Sequence, residues 1–109
     1  MAYNESLADR IRVVLAVHEA VEEKKMFGGL AFMWRGNMTV GITNEGLMVR
    51  VGKENNEKSL AYPHTRPMDF TGKPMKGFIY VAPEGVATDD DLRAWVGRGV
   101  AFSETLPAK

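Results

Sequence analysis

The chain has 109 residues, no cysteine, and 14 basic against 14 acidic residues, so its formal net charge is zero. This length suits one domain with its own core, and the lack of cysteine excludes disulfides, thiolate nucleophiles and cysteine-based zinc sites. A dedicated nucleic-acid-binding protein usually carries a basic excess, and we therefore do not expect direct DNA binding.

The first predicted element is a helix over residues 4–23. Apolar positions recur there at three- and four-residue spacing, which is typical of a helix with one buried stripe. The stripe comprises Leu7, Ile11, Val14, Leu15 and His18. Asn4 or Ser6 can cap the start of this helix, and Lys24 and Lys25 suit the negative end of its dipole.

Three strands are predicted next, over residues 28–34, 37–42 and 47–51. A Gly-Asn pair favours a tight hairpin turn between the first two, and such short connections imply an antiparallel meander. Alternation along the third strand places Met48 and Arg50 on one face of the sheet, opposite Leu47, Val49 and Val51.

The second half of the chain predicts a short helix over 54–61, strands near 67–70 and 77–81, and a last helix capped by Thr88. Three aspartates, Asp89 to Asp91, suit the positive end of that helix and need no metal ion. The resulting order is α-β-β-β-α-β-β-α. We expect an α+β two-layer sandwich whose antiparallel sheet has helices mainly on one face.

Several segments together resemble the N-terminal domain of the TfoX/Sxy competence-regulator family, and they follow that family's order along nearly the whole chain. They are Met26-Phe27-Gly28-Gly29, Gly36-Asn37-Met38, residues 47–51, residues 66–77, Trp95-Val96 and residues 106–109.

This resemblance implies a secretion-chaperone-like fold and a regulatory role in natural transformation, exerted by assisting another transcription factor. The family's namesakes carry a second, C-terminal helical domain that this sequence does not contain, so we expect a stand-alone N-terminal-type domain over 1–109. The resemblance supplies no catalytic residues.

The leading functional hypothesis is a non-enzymatic protein-interaction or regulatory module. The Gly-Gly pair indicates a bulge or a close backbone approach, and methionine is common both in cores and on surfaces that accept varied partners. An unknown protein, or a second copy in a homodimer, would bind the open sheet face or a sheet edge. The candidate interaction residues are Met26, Phe27, Gly28, Gly29, Met48, Arg50, Arg66, Met68, Lys73 and Met75.

The alternative hypothesis is a small-anion or nucleotide-binding protein. Arg50, Arg66 and Lys73, near Gly72 and Gly77, would hold a phosphate or carboxylate through charge-assisted hydrogen bonds. Lys53 and Lys76 would add basic charge to the same part of the sheet. Arg93 and Arg98 are five residues apart on the last predicted helix, so we do not expect them to extend this basic patch.

Catalytic and metal-binding patterns are absent from the sequence. His18 and His64 lie far apart and belong to no zinc motif, the serines lie in no nucleophile motif, and Gly28-Gly29 lacks the P-loop ending. No apolar run approaches the ~18 residues of a membrane span, and no basic leader region opens the sequence. We therefore expect a cytoplasmic protein with no enzymatic activity, no cofactor and no membrane contact.

Overall fold

A six-stranded antiparallel sheet and three α-helices account for most of the residues that the computed structural model describes, which are 5–18, 21–26, 29–43, 46–69 and 74–107. The helices are α1 (Glu5–Leu15), α2 (Asn56–Leu60) and α3 (Asp89–Glu104). The strands are β1 (Val21–Met26), β2 (Gly29–Trp34), β3 (Asn37–Thr43), β4 (Gly46–Arg50), β5 (Thr65–Asp69) and β6 (Pro74–Val81). Two 3₁₀ turns, Lys53–Asn55 and Pro83–Val86, precede α2 and α3.

The predicted fold class is confirmed: the chain is α+β, with a sheet order β1-β2-β3-β4-β6-β5 and every strand pair antiparallel. The predicted capping of the last helix is confirmed as well. The Thr88 hydroxyl accepts a hydrogen bond from the Asp91 backbone N–H at 3.1 Å, which satisfies one of the free amides of the first turn.

The predicted extent of the first helix is wrong. The helix ends at Leu15, and Val21–Met26 is a strand that precedes the three predicted ones. Each residue of β1 pairs with a residue of β2, for example Lys24 with Ala31. The charged segment is compatible with a helix taken alone, but six consecutive ladder positions against β2 outweigh that local preference.

An ion pair ties the shortened helix to the new strand. The Arg12 guanidinium donates to both carboxylate oxygens of Glu23, at 2.7 and 2.8 Å. These bonds hold the pKa of the Glu23 carboxyl below its usual value. Because both side chains remain partly exposed, the pair fixes geometry more than it adds stability.

The inner face of the sheet carries the main core, beneath α1 and α3. Neighbouring strands align their apolar side chains in rows, and one row contains Leu30, Ile42, Leu47 and Val81. All four are at least 95% buried and pack in one cluster with Ile11, Trp95 and Val96. Burial of each such side chain contributes about 1.5–3 kcal/mol.

A β-bulge brings α3 close to the sheet. Phe32 pairs with Val40 but the next residue, Met33, pairs with Met38, so that Thr39 is the extra residue of β3. The Thr39 hydroxyl lies 2.9 Å from the Ser103 hydroxyl of α3, and both side chains are buried. The bulge therefore presents β3 backbone and a polar side chain directly to the helix.

The outer face has a second, smaller cluster. Met48 and Tyr80 are buried there and pack with the half-buried Met38 and Phe78. A Cβ at Gly41 would come within 2.9 Å of the terminal methyl of Met48, so the glycine makes room for the methionine. The described residues of this cluster all belong to strands.

Two glycines of α3 give a matched test of the helix–sheet contact. A Cβ at Gly99 would lie 2.6 Å from the Thr39 carbonyl oxygen, whereas a Cβ at Gly97 would meet nothing within 4 Å. We expect Gly99→Ala to lower the free energy of unfolding by roughly 1–3 kcal/mol through overpacking. Gly97→Ala should raise it by about 0.5–1 kcal/mol, because alanine favours the helix.

Urea denaturation of the two variants beside the wild type measures both changes. Equal effects in the two variants would contradict the proposed close contact between α3 and β3.

Candidate functional site

A cavity of about 770 Å³ lies between the first 3₁₀ turn with α2 on one side and the second half of α3 on the other. The end of β4 and the first half of β6 form its floor. We call it the basic cleft, because its lining includes five cationic side chains and one carboxylate, that of Glu54. The five cations are Arg50, Lys53, Lys58, Lys76 and Arg98.

The floor of the basic cleft is a close contact between two glycines. The Val51 and Gly52 amides both donate to the Gly77 carbonyl, at 2.8 and 3.1 Å. Gly52 and Gly77 have φ values of +86° and +93°, which side chains rarely adopt, and a Cβ at Gly52 would lie 2.5 Å from the Phe102 ring. Glycine at these two positions lets β4, β6 and α3 meet.

A buried asparagine holds the same floor from α2. The Asn56 side-chain oxygen accepts a hydrogen bond from the Gly77 N–H at 2.9 Å, and Asn56 is only 6% exposed. The bond joins the first residue of α2 to β6. It therefore sets the distance between one wall of the basic cleft and the floor.

The opposite wall is one face of α3. Arg98, Ala101, Phe102 and Thr105 line the basic cleft at spacings of three and four residues. Leu92, Trp95, Val96, Gly99, Val100 and Ser103 are buried and face the core. The helix therefore carries two adjacent stripes, one for the core and one for the cleft.

Aromatic rings hold the two arginines of the basic cleft. The Arg50 guanidinium lies over the rings of Phe78 and Phe102, at 5.6 and 5.3 Å from their centroids. The Arg98 guanidinium lies 4.3 Å from the Tyr62 ring and 4.4 Å from the Trp95 ring. Such cation–π contacts orient the planar groups without using their N–H donors.

Neither guanidinium forms a hydrogen bond or an ion pair with any residue in the described part of the chain. The three lysines of the cleft are exposed and likewise form no ion pair there. Cations gathered in a concavity with low-dielectric walls raise the local positive potential. The arrangement can bind an anion through donors that the protein itself does not use.

The predicted anion residues are only partly brought together. Arg50 and Gly77 line the basic cleft. Arg66 does not, since its guanidinium lies 4.6 Å from the ring of Tyr80 on the outer face of the sheet. Lys73 and Gly72 lie outside the described residues.

The expectation that Arg98 would not extend the basic patch is wrong, because Arg98 lines the cleft from α3, opposite α2. Arg93 does stay apart, and it pairs with Asp90 at 3.3 Å. Lys53 and Lys76 of the predicted basic patch do line the cleft, whereas Lys58 was not predicted. A signal for the cleft wall was present in the spacing of Arg98, Ala101, Phe102 and Thr105, which repeats at helical intervals beside the core stripe.

The predicted interaction residues are dispersed or buried. Met48 is 2% exposed and packs inside the outer-face cluster, so it does not form an open docking surface. Gly29 is buried, and a Cβ there would fall on the carbonyl oxygen of Ile42. Of Met26, Met68 and Met75 the structure describes only the backbone, in β1, β5 and β6. Phe27 and Gly28 lie outside the described residues.

A second cavity, of about 330 Å³, lies between α1 and α3. We call it the α1–α3 groove, and its lining is mostly apolar, including Val14, Val96 and Val100. At its border Val13 and Val17 are 75% and 82% exposed. These exposed valines lie away from Met48, which packs in the outer-face cluster of the sheet.

The described ranges contain no group of three or more His, Asp or Glu side chains placed to hold a metal ion. His18 packs against the Trp34 ring, with centroids 5.2 Å apart. Among the helices of those same ranges, none combines the length and the hydropathy that crossing a bilayer requires.

These features define an α+β domain whose helices cover one sheet face and which has a cavity lined by five cations. The chain belongs to the TfoX N-terminal domain family, whose model matches residues 14–103. The matched range includes every element from the end of α1 to most of α3. Comparisons with curated proteins and with solved structures gave no match.

The buried asparagine provides a test of how the cleft is built. We expect Asn56→Ala to lower the free energy of unfolding by about 1–3 kcal/mol, since the buried Gly77 N–H loses its acceptor. Asn55→Ala is the matched control, because Asn55 is exposed and water can replace its bond to the Val51 carbonyl. Chemical denaturation compares the two. A larger loss in Asn55→Ala would contradict the role assigned to Asn56.

Proposed function

We propose that the basic cleft binds a small anionic ligand and that the chain acts as a non-enzymatic regulatory module responsive to it. The proposal joins the regulatory module of the first sequence hypothesis to the anion site of the second. In that site Arg98 and Lys58 join Arg50 and Lys53, and Arg66 has no part.

The observation that supports the proposal is the way in which the guanidiniums of Arg50 and Arg98 are held. Arginine side chains commonly donate hydrogen bonds to carboxylates or carbonyls, as Arg10 and Arg12 do here. Arg50 and Arg98 are instead held by pairs of aromatic rings. Holding the planar groups in place before binding reduces the entropy lost when an anion is captured.

The regulatory part of the proposal rests on the family. Membership in the TfoX N-terminal domain family favours a role linked to transcription and competence. Anion binding would make such a module respond to a ligand, since a ligand that binds only the folded cleft stabilises that state more as its concentration rises above its Kd.

Isothermal titration with inorganic tripolyphosphate at low ionic strength tests anion binding. We expect a saturable heat, with affinity that falls as salt is added because the contacts are electrostatic. Arg98→Gln should weaken binding roughly 10-fold or more, given that a hydrogen bond to a charged group contributes about 1.5–3 kcal/mol.

Arg93→Gln is the matched control, since Arg93 lies on the same helix and outside the basic cleft. It removes the same charge and should leave the affinity within about twofold of the wild type. Equal weakening by Arg93→Gln would show a general charge effect and no site. Circular dichroism confirms that each variant is folded.

Protein binding is a second candidate function, favoured by two exposed valines, one in α1 and one in the turn that follows it. Val13 and Val17 expose most of their apolar surface beside the α1–α3 groove. The two edge strands of the sheet disfavour binding of a partner by strand addition, so the surface around the valines is the better candidate. Glu22 to Lys25 charge the β1 edge, and Pro67 interrupts donors along β5, both of which disfavour pairing with another strand.

Sedimentation equilibrium over a wide range of protein concentration tests the homodimer form of this candidate. We expect a mass that rises with concentration in the wild type and stays monomeric in the Val13→Lys/Val17→Lys variant. The buried apolar area lost by the variant is the physical reason. A wild type that remains monomeric throughout would exclude self-association through α1.

A further inference from the structure

The basic cleft differs from a simple phosphate site in what surrounds its cations. Its volume of about 770 Å³ falls within the roughly 300–1,000 Å³ typical of pockets for whole small molecules. Tyr62, Phe78 and Phe102 contribute rings to the lining, and Tyr62 is 46% exposed. A bare inorganic anion would contact the cations of the cleft and make no use of these rings.

The cations fall into two kinds with different positions. Arg50 and Arg98 are half-buried and lie against rings, whereas Lys53, Lys58 and Lys76 are exposed at the border of the cavity. Lysine ammonium groups act as mobile point charges suited to phosphate oxygens. Guanidinium planes and aromatic rings are instead surfaces on which a planar base stacks.

The position of the floor strands within the sheet disfavours an acidic peptide as the ligand. Extended peptides gain much of their affinity by pairing with an unpaired strand edge. Here β4 lies between β3 and β6, and β6 lies between β4 and β5, so neither strand of the floor is an edge of the sheet. Gly77 lies in the irregular part of the β5–β6 pairing, but its N–H donates to Asn56 and its carbonyl accepts from Val51 and Gly52. The cleft offers side chains and cavity volume, which suit a compact ligand.

We infer that the ligand of the basic cleft is a nucleotide, with its phosphates at the lysine border and its base stacked among the rings and guanidiniums. This inference rests on the proposed anion-binding function and specifies the chemical class of the anion. It assigns a role to Tyr62, whose ring stacks on Arg98 at the open side of the cleft.

Titrations of the wild-type chain with ATP, tripolyphosphate and adenosine separate the contributions. ATP and tripolyphosphate both carry three linked phosphates, and tripolyphosphate has one more ionisable oxygen because ATP is esterified there. Tighter binding of the less charged ATP therefore reports the nucleoside. Since stacking of one base contributes about 1–3 kcal/mol, we expect ATP to bind at least roughly 5-fold more tightly than tripolyphosphate. Adenosine, without phosphates, should bind far more weakly than either.

Two outcomes overturn the inference in different ways. Equal affinity for ATP and tripolyphosphate would refute a nucleotide ligand and leave anion binding intact. No heat with either polyanion would refute both the inference and the proposed function.

A variant tests the stacking directly. Tyr62→Leu keeps apolar volume but removes a ring, and Arg98 retains its contact with Trp95. We expect ATP affinity to fall about 5-fold or more while tripolyphosphate affinity changes less than about twofold. A parallel loss for both ligands would mean that Tyr62 only positions Arg98, and would overturn base stacking at this ring.

Discussion

The close contact between α3 and the bulged strand β3 determines most of the architecture. At Gly99 the helix backbone approaches the Thr39 carbonyl so closely that no side chain fits between them. The bulge that exposes this carbonyl also places the Thr39 hydroxyl against Ser103. This contact fixes the rotation of α3 and its distance from the sheet. As a result, the cleft-lining stripe of α3 points away from the sheet and toward α2. The basic cleft is the space that this orientation leaves, and Arg98 enters it because its neighbour Gly99 is pressed onto the sheet.

The apolar side chains on the two faces of the sheet are buried in different ways. The inner face is covered by helices in the usual manner of an α+β layer. On the outer face Met48 and Tyr80 are buried by neighbouring long side chains, and Gly41 admits the flexible methionine. Methionine fills such irregular space well because it is unbranched and polarisable. The sheet centre is therefore not where apolar surface is most available, and both candidate binding regions lie beside helices.

Much of the fold could be predicted from local pattern, because caps, turns and alternation act over a few residues. The Thr88 cap and the meander from β2 to β4 are of this kind. The strand β1 could not be predicted in that way, since its charged sequence gains strand structure only from pairing with β2. Arg50 was recognised as a candidate anion-binding residue, but Arg98 and Lys58 were not recognised as its partners. They lie 48 and 8 residues from Arg50 in the chain, and only the tertiary fold, with α2 and α3 on opposite sides, brings the three to one cavity.

Of the two walls of the basic cleft, α2 is held to the rest of the structure much less firmly than α3. The helix α2 has five residues, too few to be stable alone, and Asn56 anchors its first residue to β6. The opposite wall belongs to a sixteen-residue helix embedded in the core. The helix α2 can therefore unfold or detach locally while the sheet stays intact. Any affinity measured at the cleft then includes the fraction of molecules in which this wall is closed, so a substitution far from the ligand can change apparent binding simply by changing that population.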